Sequence, residues 1–289
     1  MKISIFTKNG ALGSDVVFKS FAEGAKKLKF KVTENDMNAD AAVIWSVLWQ
    51  GRMKDNKTVF HHYKNQKKPV FILETGHFFR SRTWKFSLNG TSYDNFPHFN
   101  SSDISRLNRL GIKFKEWQKN GEKIIICPQN PNSLQWSKQG TPEDWVNEVI
   151  KDIRKVSDRS IVIRPHPRVN FNSLKITEKT GIFYEKAEKI PGTIDSVDFE
   201  NSIKNAHAVV NYNSGPSVVS ALHGIPVFCD ISSPARPISH QNLEKIEDRQ
   251  WVDRKEWLSW ISHTEWLKEE IAEGLPLSHF IKHGLILDN

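Results

Sequence analysis

Residues 164–168, Arg164-Pro165-His166-Pro167-Arg168, combine two arginines and a histidine with two prolines, directly after the apolar run Ile161–Ile163. In an open α/β sheet, ligands bind outside the carboxyl ends of the strands, and prolines stiffen the loop that follows a strand. We therefore expect Arg164, His166 and Arg168 to project into a cleft and to bind a phosphate or diphosphate. The alternative is a turn histidine flanked by arginines that face solvent.

The segment Asn213-Ser214-Gly215-Pro216-Ser217 follows another apolar run, Ala208–Val210, and precedes a helical pattern. Backbone N–H groups and the dipole at a helix N-terminus bind phosphate without a metal ion. Gly215 would let the backbone approach such a ligand closely. We expect Asn213, Ser214, Gly215 and Ser217 to contact a phosphate, with simple helix capping as the alternative for each serine.

These two segments belong to a series of short apolar runs separated by helical patterns. A parallel sheet covered by helices on both faces has this pattern, so the sequence predicts a doubly wound α/β fold. The polar and aromatic stretch from Thr83 to Asp103 lacks periodicity and is expected to be a long loop or an irregular insertion. The runs are Ile3–Phe6, Ala41–Trp45, Val70–Leu73, Ile124–Cys127, Ile161–Ile163, Ala208–Val210 and Val227–Cys229.

Signals for a strand, a loop and a helix occur twice along the chain. Near the N-terminus, Ser14 is the expected N-cap of a helix whose apolar stripe is Val17, Phe18, Phe21, Ala22, Ala25 and Leu28. The second set begins near residue 121, and Thr141-Pro142-Glu143-Asp144 supplies a cap, a proline at the first helical position and acidic residues in the first turn. We therefore divide the chain into domains 1–118 and 119–289.

Composition restricts the class of protein. No stretch approaches the roughly 18 apolar residues of a membrane-spanning helix, and the first residues lack the apolar core of a signal peptide, so we expect a soluble cytoplasmic protein without a membrane span. The net charge of +8 and the isoelectric point near 9.3 favour a polyanionic partner, namely nucleic acid, an acidic glycan or a phosphate-rich membrane surface. An ordinary excess of surface lysine is the alternative.

The sequence predicts neither a disulfide nor a metal site. Cys127 and Cys229 each lie inside an apolar run, which indicates core thiols. There is no Asp-x-Asp motif and no histidine–carboxylate cluster with metal-ligand spacing, and the adjacent His61 and His62 would point to different sides of a helix. We expect no metal and no cofactor.

The region from about residue 120 to 240 resembles the donor domain of GT-B glycosyltransferases. The likeness rests on Ile163-Arg164-Pro165-His166-Pro167 and on Asn213-Ser214-Gly215 through Gly224-Ile225-Pro226-Val227, and it is nearest to the capsule-polysaccharide and Kdo-transferase branch and to sialyltransferases with a His-Pro motif. CDP-glycerol transferases share parts of it. The resemblance implies an α/β GT-B fold, in which two Rossmann-like domains face each other across a cleft.

The same resemblance implies the roles of the two domains. Domain 1–118 would bind the acceptor, and domain 119–289 would bind a nucleotide-sugar co-substrate, with the last helices packing back on the N-terminal domain. His166 would contact the donor phosphate, and Ser214 and Ser217 would hold the same group.

A transferase of this kind needs a base that takes the proton of the acceptor hydroxyl. Candidates follow predicted strands: Glu74 and His77 after the run Val70–Leu73, and Asp15 after the first strand. We rank Glu74 first, Asp15 second and His77 third, with helix capping or surface charge as the alternative for each.

The acceptor prediction rests on charge and on a second resemblance. Arg80, Arg82, Trp84 and Lys85 combine cations with an aromatic ring, which suits phosphate contacts and stacking, although a solvated loop with one anchoring tryptophan is the alternative. The N-terminal half, through Phe6–Gly10 and Ala42–Ser46, resembles stand-alone bacteriophage proteins. That likeness favours transfer of a sugar, such as glucose from UDP-glucose, to hydroxymethylated pyrimidines in phage double-stranded DNA, with the target base flipped out.

Three other functions remain open. The acceptor could be a capsular or surface glycan, whose acidity would also match the positive charge. A GT-B-like sugar-nucleotide epimerase or a non-catalytic nucleotide- or DNA-binding module shares the same features. A Rossmann-type oxidoreductase is disfavoured because Asn9-Gly10-Ala11-Leu12-Gly13 lacks the Gly-x-Gly-x-x-Gly spacing.

Overall fold

The structure is a computed structural model that describes residues 1–191, 197–248 and 251–286, and it divides into two compact units. The first unit contains the described residues of Met1–Ser101, Asn132–Leu134 and Trp260–Asn289, and the second contains those of Ser102–Pro131 and Gln135–Ser259. These bounds differ from a division after residue 118. The backbone N–H groups of Lys115 and Gln118 donate to the carbonyl oxygens of Leu222 and Gly224, which ties residues 115–118 to the second unit.

Strands and helices alternate along the chain. The strands are β1 (Lys2–Ile5), β2 (Lys31–Glu34), β3 (Ala41–Trp45), β4 (Val70–Thr75), β5 (Thr83–Leu88), β6 (Lys123–Cys127), β7 (Ser160–Ile163), β8 (Ile182–Tyr184), β9 (Ala206–Asn211), β10 (Val227–Cys229) and β11 (Glu265–Leu267). The α-helices are α1 (Ser14–Lys27), α2 (Asn56–Asn65), α3 (Ser105–Arg109), α4 (Pro142–Arg154), α5 (Phe199–Ser202), α6 (Gly215–Leu222), α7 (Lys255–Ile261), α8 (Lys268–Ala272) and α9 (Leu275–Lys282). Short 3₁₀ helices are Thr7–Asn9, Gly51–Met53, Tyr93–Asn95, Ser173–Lys175, Arg236–Ile238 and Leu243–Lys245. The prediction that the apolar runs form strands is confirmed.

The sheet of the first unit has the strand order β11-β5-β4-β3-β1-β2 among the described residues. Strands β2, β1, β3 and β4 are parallel, whereas β5 is antiparallel to β4 and β11 is antiparallel to β5. Phenylalanine rings fill the space between this sheet and its helices, since Phe21 of α1 stacks on Phe86 of β5, and Phe280 of α9 meets Phe86 edge to face. The carboxyl ends of β1, β3 and β4 therefore lie at one edge above a rigid core.

Two local expectations for the first unit are wrong. Residues Thr83–Leu88 form β5 rather than a loop, because they pair with β4, and the local sequence does not reveal this pairing. The N-cap of α1 is Gly13, at φ 82°, rather than Ser14, whose hydroxyl donates back to the carbonyl oxygen of Ala11 at 2.9 Å. The left-handed conformation at this position favours glycine.

The second unit contains a parallel sheet with the order β10-β9-β6-β7-β8 among the described residues. The chain runs outward from β6 through β7 to β8, and then returns to the other side of β6 to form β9 and β10. This is the strand order of a Rossmann fold, and the direction reverses between β6 and β9. Loops that leave the carboxyl ends of β6 and β9 therefore diverge and leave a crevice between them.

Two local predictions for the second unit, the start of α4 and the core position of both cysteines, are confirmed. Thr141 caps α4, with its hydroxyl accepting the backbone N–H of Asp144 at 3.2 Å, and Pro142 occupies the first helical position. Cys127 and Cys229 are buried free thiols. Burial raises the pKa of Cys127 to about 12 and that of Cys229 to about 11, so both remain protonated in the core.

Candidate functional site

Asn211 ties together the two strand ends at which the second sheet reverses direction. Its side-chain Nδ2 donates to the carbonyl oxygen of Cys127, the last residue of β6, at 3.0 Å, and to Oγ of Ser214, the N-cap of α6, at 2.9 Å. Asn211 is 1% exposed, and its Oδ1 has no hydrogen-bond partner in the part of the chain that the structure describes. Asn211 therefore fixes the two strand ends relative to each other, and its Oδ1 is a buried acceptor.

A chain of hydrogen bonds runs across the same edge towards the end of β10. Nε2 of Gln129 donates to Oε1 of Gln135 at 3.3 Å, and Nε2 of Gln135 donates to Oδ1 of Asn213 at 3.0 Å. Nδ2 of Asn213 donates to Oγ of Ser232, and that hydroxyl donates to Oδ1 of Asp230 at 2.6 Å. Asn213, one of the expected phosphate ligands, is thus held on both sides of its amide.

The beginning of α6 holds the remaining residues of this expected phosphate site. Ser214 is extended, and its side chain makes no capping bond to the helix. Gly215 and Pro216 begin the helix and are half-buried. Ser217 is fully buried, and its hydroxyl donates to the carbonyl oxygen of Ser214 at 3.0 Å and lies 3.1 Å from Oγ of Ser233. Ser217 therefore fixes the first turn, while Ser214 and Gly215 lie nearer the surface.

His166 lies in the loop that follows β7 and is half-buried. Its Nδ1 accepts the backbone N–H of Arg168 at 3.1 Å. A neutral imidazole carries one proton, so this contact assigns that proton to Nε2. Nε2–H can donate to an oxyanion, the role that the sequence assigns to this residue.

Arg164 is buried among carboxylates. Its guanidinium pairs with Glu185 and Asp198, and it lies 5.8 Å from the centre of the Phe199 ring. Burial would raise the pKa of Asp198, but the hydrogen bond from Arg164 and the neighbouring backbone outweigh burial and lower it. The positive charge of Arg164 is thus balanced by two carboxylates of the protein. Arg168, on the same loop, is exposed.

The first unit contains a second polar cluster, centred on Glu74 at the end of β4. Nζ of Lys85 forms an ion pair with this carboxylate, and the hydroxyl of Ser46 donates to its Oε1 at 2.6 Å. Ser46 follows β3 with φ 63°, a left-handed conformation that is uncommon for a residue with a side chain. Burial would raise the pKa of Glu74, but Lys85 and Ser46 outweigh burial and hold that pKa below its ordinary value.

His77 belongs to the same cluster through Glu265 of β11. Oε1 of Glu265 accepts the backbone N–H of His77 at 2.5 Å and lies 3.2 Å from Nδ1 of its ring. Nε2 of His77 lies 3.4 Å from Nζ of Lys85. Burial and the charge of Lys85 lower the pKa of His77, although Glu265 opposes this effect. The imidazole is therefore neutral near pH 7.

The other residues predicted for the first unit lie apart from this cluster. Asp15 is exposed in the first turn of α1. Arg80 and Arg82 are exposed in the loop before β5, with the guanidinium of Arg82 5.1 Å from the centre of the Phe79 ring. Trp84 is half-buried in β5, opposite Trp266. The expected acceptor segment is therefore divided between a loop and a strand, and Lys85 is 8% exposed.

Sequence reasoning missed several residues of the two clusters, namely Ser46, Gln129, Gln135, Asn211, Asp230, Ser232, Ser233 and Glu265. Gln129 and Asp230 follow β6 and β10 as closely as His166 follows β7, so the position of a polar residue after an apolar run could have found them. Glu265 is 188 residues from His77 in sequence, and nothing local marks it.

No group of three histidine, cysteine or acidic residues in the described ranges is arranged to hold a metal ion. Among the described helices, none combines the length and apolarity needed to cross a bilayer.

Comparison with known proteins finds similarity in structure rather than in sequence. No protein-family model matches the chain, and a search of curated proteins found no match. The β-Kdo 2,4-transferase KpsC of Thermosulfurimonas dismutans aligns over 92% of this chain and 92% of its own, with a TM-score of 0.54 and 11% identity.

Two other solved structures align over more of the chain with lower TM-scores. The β-Kdo 2,7-transferase KpsC of Thermosulfurimonas dismutans covers 96% of this chain and 99% of its own, with a TM-score of 0.44 and 14% identity. A UDP-GlcNAc 2-epimerase of Methanocaldococcus jannaschii, in complex with UDP-GlcNAc and UDP, covers 96% and 100%, with a TM-score of 0.40 and 12% identity.

The chain belongs to the α/β class and has the GT-B type of fold, with two Rossmann-like units. This conclusion rests on the two sheets and on the alignment with the 2,4-transferase over nearly the whole of both chains. The expected fold class is therefore confirmed.

Proposed function

We propose that this chain is a glycosyltransferase whose second unit binds a nucleotide-sugar donor by its phosphate groups. The observation that carries the proposal is the set of polar groups at the carboxyl ends of β6, β7 and β9, where the strand order reverses. Ligands of open α/β sheets bind at such points. The GT-B fold supports the same assignment, because sugar-nucleotide enzymes use it.

The donor phosphates would lie between His166 and the start of α6. Strands β7 and β9 flank β6, and at roughly 4.8 Å per strand they lie about 10 Å apart. A phosphate with a hydrogen bond on each side spans most of such a gap. Nε2–H of His166 and the backbone N–H of Gly215 would donate to it, with Ser214 beside them, and the helix dipole would add positive potential.

These groups would stabilise the departing nucleoside phosphate during transfer. The acceptor hydroxyl oxygen forms a bond to the anomeric carbon of the sugar, and the bond between that carbon and the phosphate oxygen breaks. The electron pair leaves with the nucleoside phosphate, whose charge the donors of the second unit stabilise. In the proposed reaction the nucleotide sugar is a co-substrate, and neither a metal ion nor a cofactor takes part.

Glu74 is our first candidate for the base that accepts the hydroxyl proton. It is ionised at neutral pH, and Ser46 and Lys85 fix its orientation. His77 is a weaker candidate because the ammonium group of Lys85 faces its Nε2. Asp15, exposed on α1, stays the second candidate and His77 the third.

For the acceptor we propose hydroxymethylated DNA, with a capsular or surface glycan as the alternative. The net charge of +8 and the exposed Arg80 and Arg82 support a polyanionic acceptor. Lys85 contributes little to this proposal, since it pairs with Glu74.

The test is a transfer assay with UDP-sugars labelled in the sugar, with EDTA present throughout. Acceptors are duplexes that contain 5-hydroxymethylcytosine or 5-hydroxymethyluracil, an unmodified duplex and an acidic oligosaccharide. We expect label on the modified duplexes alone. Label on the oligosaccharide would show that the acceptor is a glycan rather than DNA. Conversion of the sugar to its epimer would show that the enzyme is an epimerase rather than a transferase.

The donor site itself is tested by His166→Ala. Loss of one hydrogen bond to a charged group costs about 1.5 to 3 kcal/mol, or roughly 10- to 150-fold in donor affinity. Calorimetric titration with UDP-glucose measures the donor affinity. His61→Ala, which removes an exposed histidine from α2 in the first unit, is the matched control. Equal affinities for the two variants would remove His166 from the site.

A further inference from the structure

The carboxyl edge of the second sheet carries an exposed cation on one side and a half-buried carboxylate on the other. His166 and the exposed Arg168 follow β7, whereas Asp230 follows β10. In the order β10-β9-β6-β7, these strands are three positions apart, about 14 Å at roughly 4.8 Å per strand. A ligand whose phosphates lie between His166 and the start of α6, which follows β9, would therefore bring another part of itself towards Asp230, one strand further along the sheet.

The side near β10 is rich in hydrogen-bond acceptors. Asp230 is half-buried, and its Oδ1 already accepts the backbone N–H of Ser232 at 3.0 Å and its hydroxyl at 2.6 Å. Oε1 of Gln129 and Oδ1 of Asn211 are buried and lack a hydrogen-bond partner among residues that the structure describes. Of these acceptors, half-buried Asp230 is the one open to a ligand, and a ligand group that complements it must supply a hydrogen-bond donor.

The buried guanidinium of Arg164, after β7, does not offset the charge of Asp230. Arg164 is engaged by two carboxylates, those of Glu185 and Asp198. A second carboxylate brought from the ligand to a half-buried Asp230 would meet like-charge repulsion, which is stronger there than in bulk water. A hydroxyl would instead donate to the carboxylate.

We propose that the second unit selects a donor whose sugar is uncharged and rich in hydroxyl groups, and that Asp230 is the residue that disfavours sugars with a carboxylate. This inference rests on the proposed donor site. It separates neutral hexoses from uronic and ulosonic acids, a distinction that the fold alone does not make.

Matched donors that differ only in a carboxylate test the inference. Calorimetric titration compares UDP-glucose with UDP-glucuronate, and GDP-mannose with GDP-mannuronate. We expect the neutral member of the bound pair to bind at least about tenfold more tightly. Equal affinity, or tighter binding of the acidic member, would overturn the role of Asp230 and leave the donor site standing. Binding of none of the four would refute the proposed donor site and this inference together.

The variant Asp230→Asn removes the charge and keeps an oxygen that can accept from Ser232. We expect the preference for the neutral sugar to fall to within about twofold, because only the repulsion is lost. Asp158→Asn, an exposed carboxylate before the amino end of β7, should retain the full preference. An unchanged preference in Asp230→Asn would contradict the inference.

Salt dependence of the unmodified protein supplies a measurement that needs no variant. Repulsion between partly exposed charges weakens as ionic strength rises. The ratio of affinities for UDP-glucose and UDP-glucuronate should therefore fall between low and high salt. A ratio that stays constant or rises would contradict a repulsive carboxylate.

Discussion

The ammonium group of Lys85 lies against the carboxylate of Glu74, its direct neighbour across the antiparallel pair of β4 and β5. Lys85 is also the direct neighbour of Glu265 across the pair of β5 and β11. One lysine thus stands between two carboxylates in a single row of three strands, and facing residues in such a row interact. This row joins Glu265, near the end of the chain, to Glu74.

Replacing Lys85 by methionine should destabilise the first unit by about 3 to 5 kcal/mol, because the poorly exposed carboxylate of Glu74 loses the cation with which it pairs. Urea denaturation followed by circular dichroism measures the change. Lys27→Met is the matched control, since Lys27 pairs with Glu273 at the surface and the loss there is about 1 kcal/mol or less. Equal destabilisation by the two variants would show that the Lys85 row contributes no more than a surface ion pair.

The pKa of His77 gives the first unit a distinct response to acid. An imidazole whose folded pKa lies below its ordinary 6.5 binds fewer protons when folded than when unfolded. Stability is therefore complete above pH 6.5 and decreases as the pH falls towards the folded pKa. Glu74 and Glu265 add a further loss below their ordinary value of 4.5, because their folded pKa values are also lowered.

His77→Gln tests the loss of stability below pH 6.5 separately from the loss below pH 4.5, since glutamine does not titrate. We expect the loss of stability between pH 6.5 and 5 to be smaller in this variant than in the unmodified protein, while the loss below pH 4.5 persists. Thermal denaturation across this pH range measures both windows. If stability falls equally steeply between pH 6.5 and 5 in the variant and the unmodified protein, His77 is protonated equally in the folded and unfolded chains.

Most of the fold could be predicted from the sequence because parallel strands are buried on both faces. Continuous apolar runs such as Ala41–Trp45 and Ile124–Cys127 are visible without knowledge of their partners. Strand β5 was missed because it is antiparallel and carries Lys85, whose charge is tolerated only beside Glu74. Strand β11 was missed for a related reason. It carries Glu265, a buried carboxylate that is bound by the backbone N–H groups of His77 and Phe78 in a loop distant in sequence.

The candidate site was also predicted only in part. The position of His166 and Asn213 after strands follows from the apolar runs that precede them. The partners of Arg164 do not, because Glu185 and Asp198 come from segments that the sequence does not mark as neighbours. A sequence motif therefore predicts that a charged residue lies at the edge of the sheet, but it does not predict which groups that residue binds.

Arg164→Ala should act mainly on stability rather than on donor binding. Its removal leaves Glu185 and Asp198 without their cation, and breaking a buried pair of this kind costs about 3 to 5 kcal/mol. Arg168→Ala, at an exposed position on the same loop, should change stability by about 0.5 kcal/mol or less. Urea denaturation of both variants tests the contrast. Full stability of Arg164→Ala would show that the two carboxylates do not depend on it.

Glu74→Gln tests the proposed base with the smallest change of shape. Glutamine keeps an oxygen that can accept from Ser46, but it cannot take up a proton at neutral pH. A general base contributes typically 10²- to 10⁴-fold to the chemical step, so kcat for transfer should fall by about that factor. Affinity for UDP-glucose should stay within about twofold, because a base acts on the chemical step rather than on donor binding.

Structural damage would give a different result from loss of the base. Charge removal at Glu74 breaks its ion pair with Lys85, so a structural role would lower stability and donor affinity together. Glu23→Gln, an exposed acid on α1, controls for the loss of one negative charge from the first unit. Rates of the unmodified protein and both variants are compared at saturating donor and acceptor. A kcat equal to that of Glu23→Gln would exclude Glu74 as the base and leave His77 and Asp15 as the candidates to replace next.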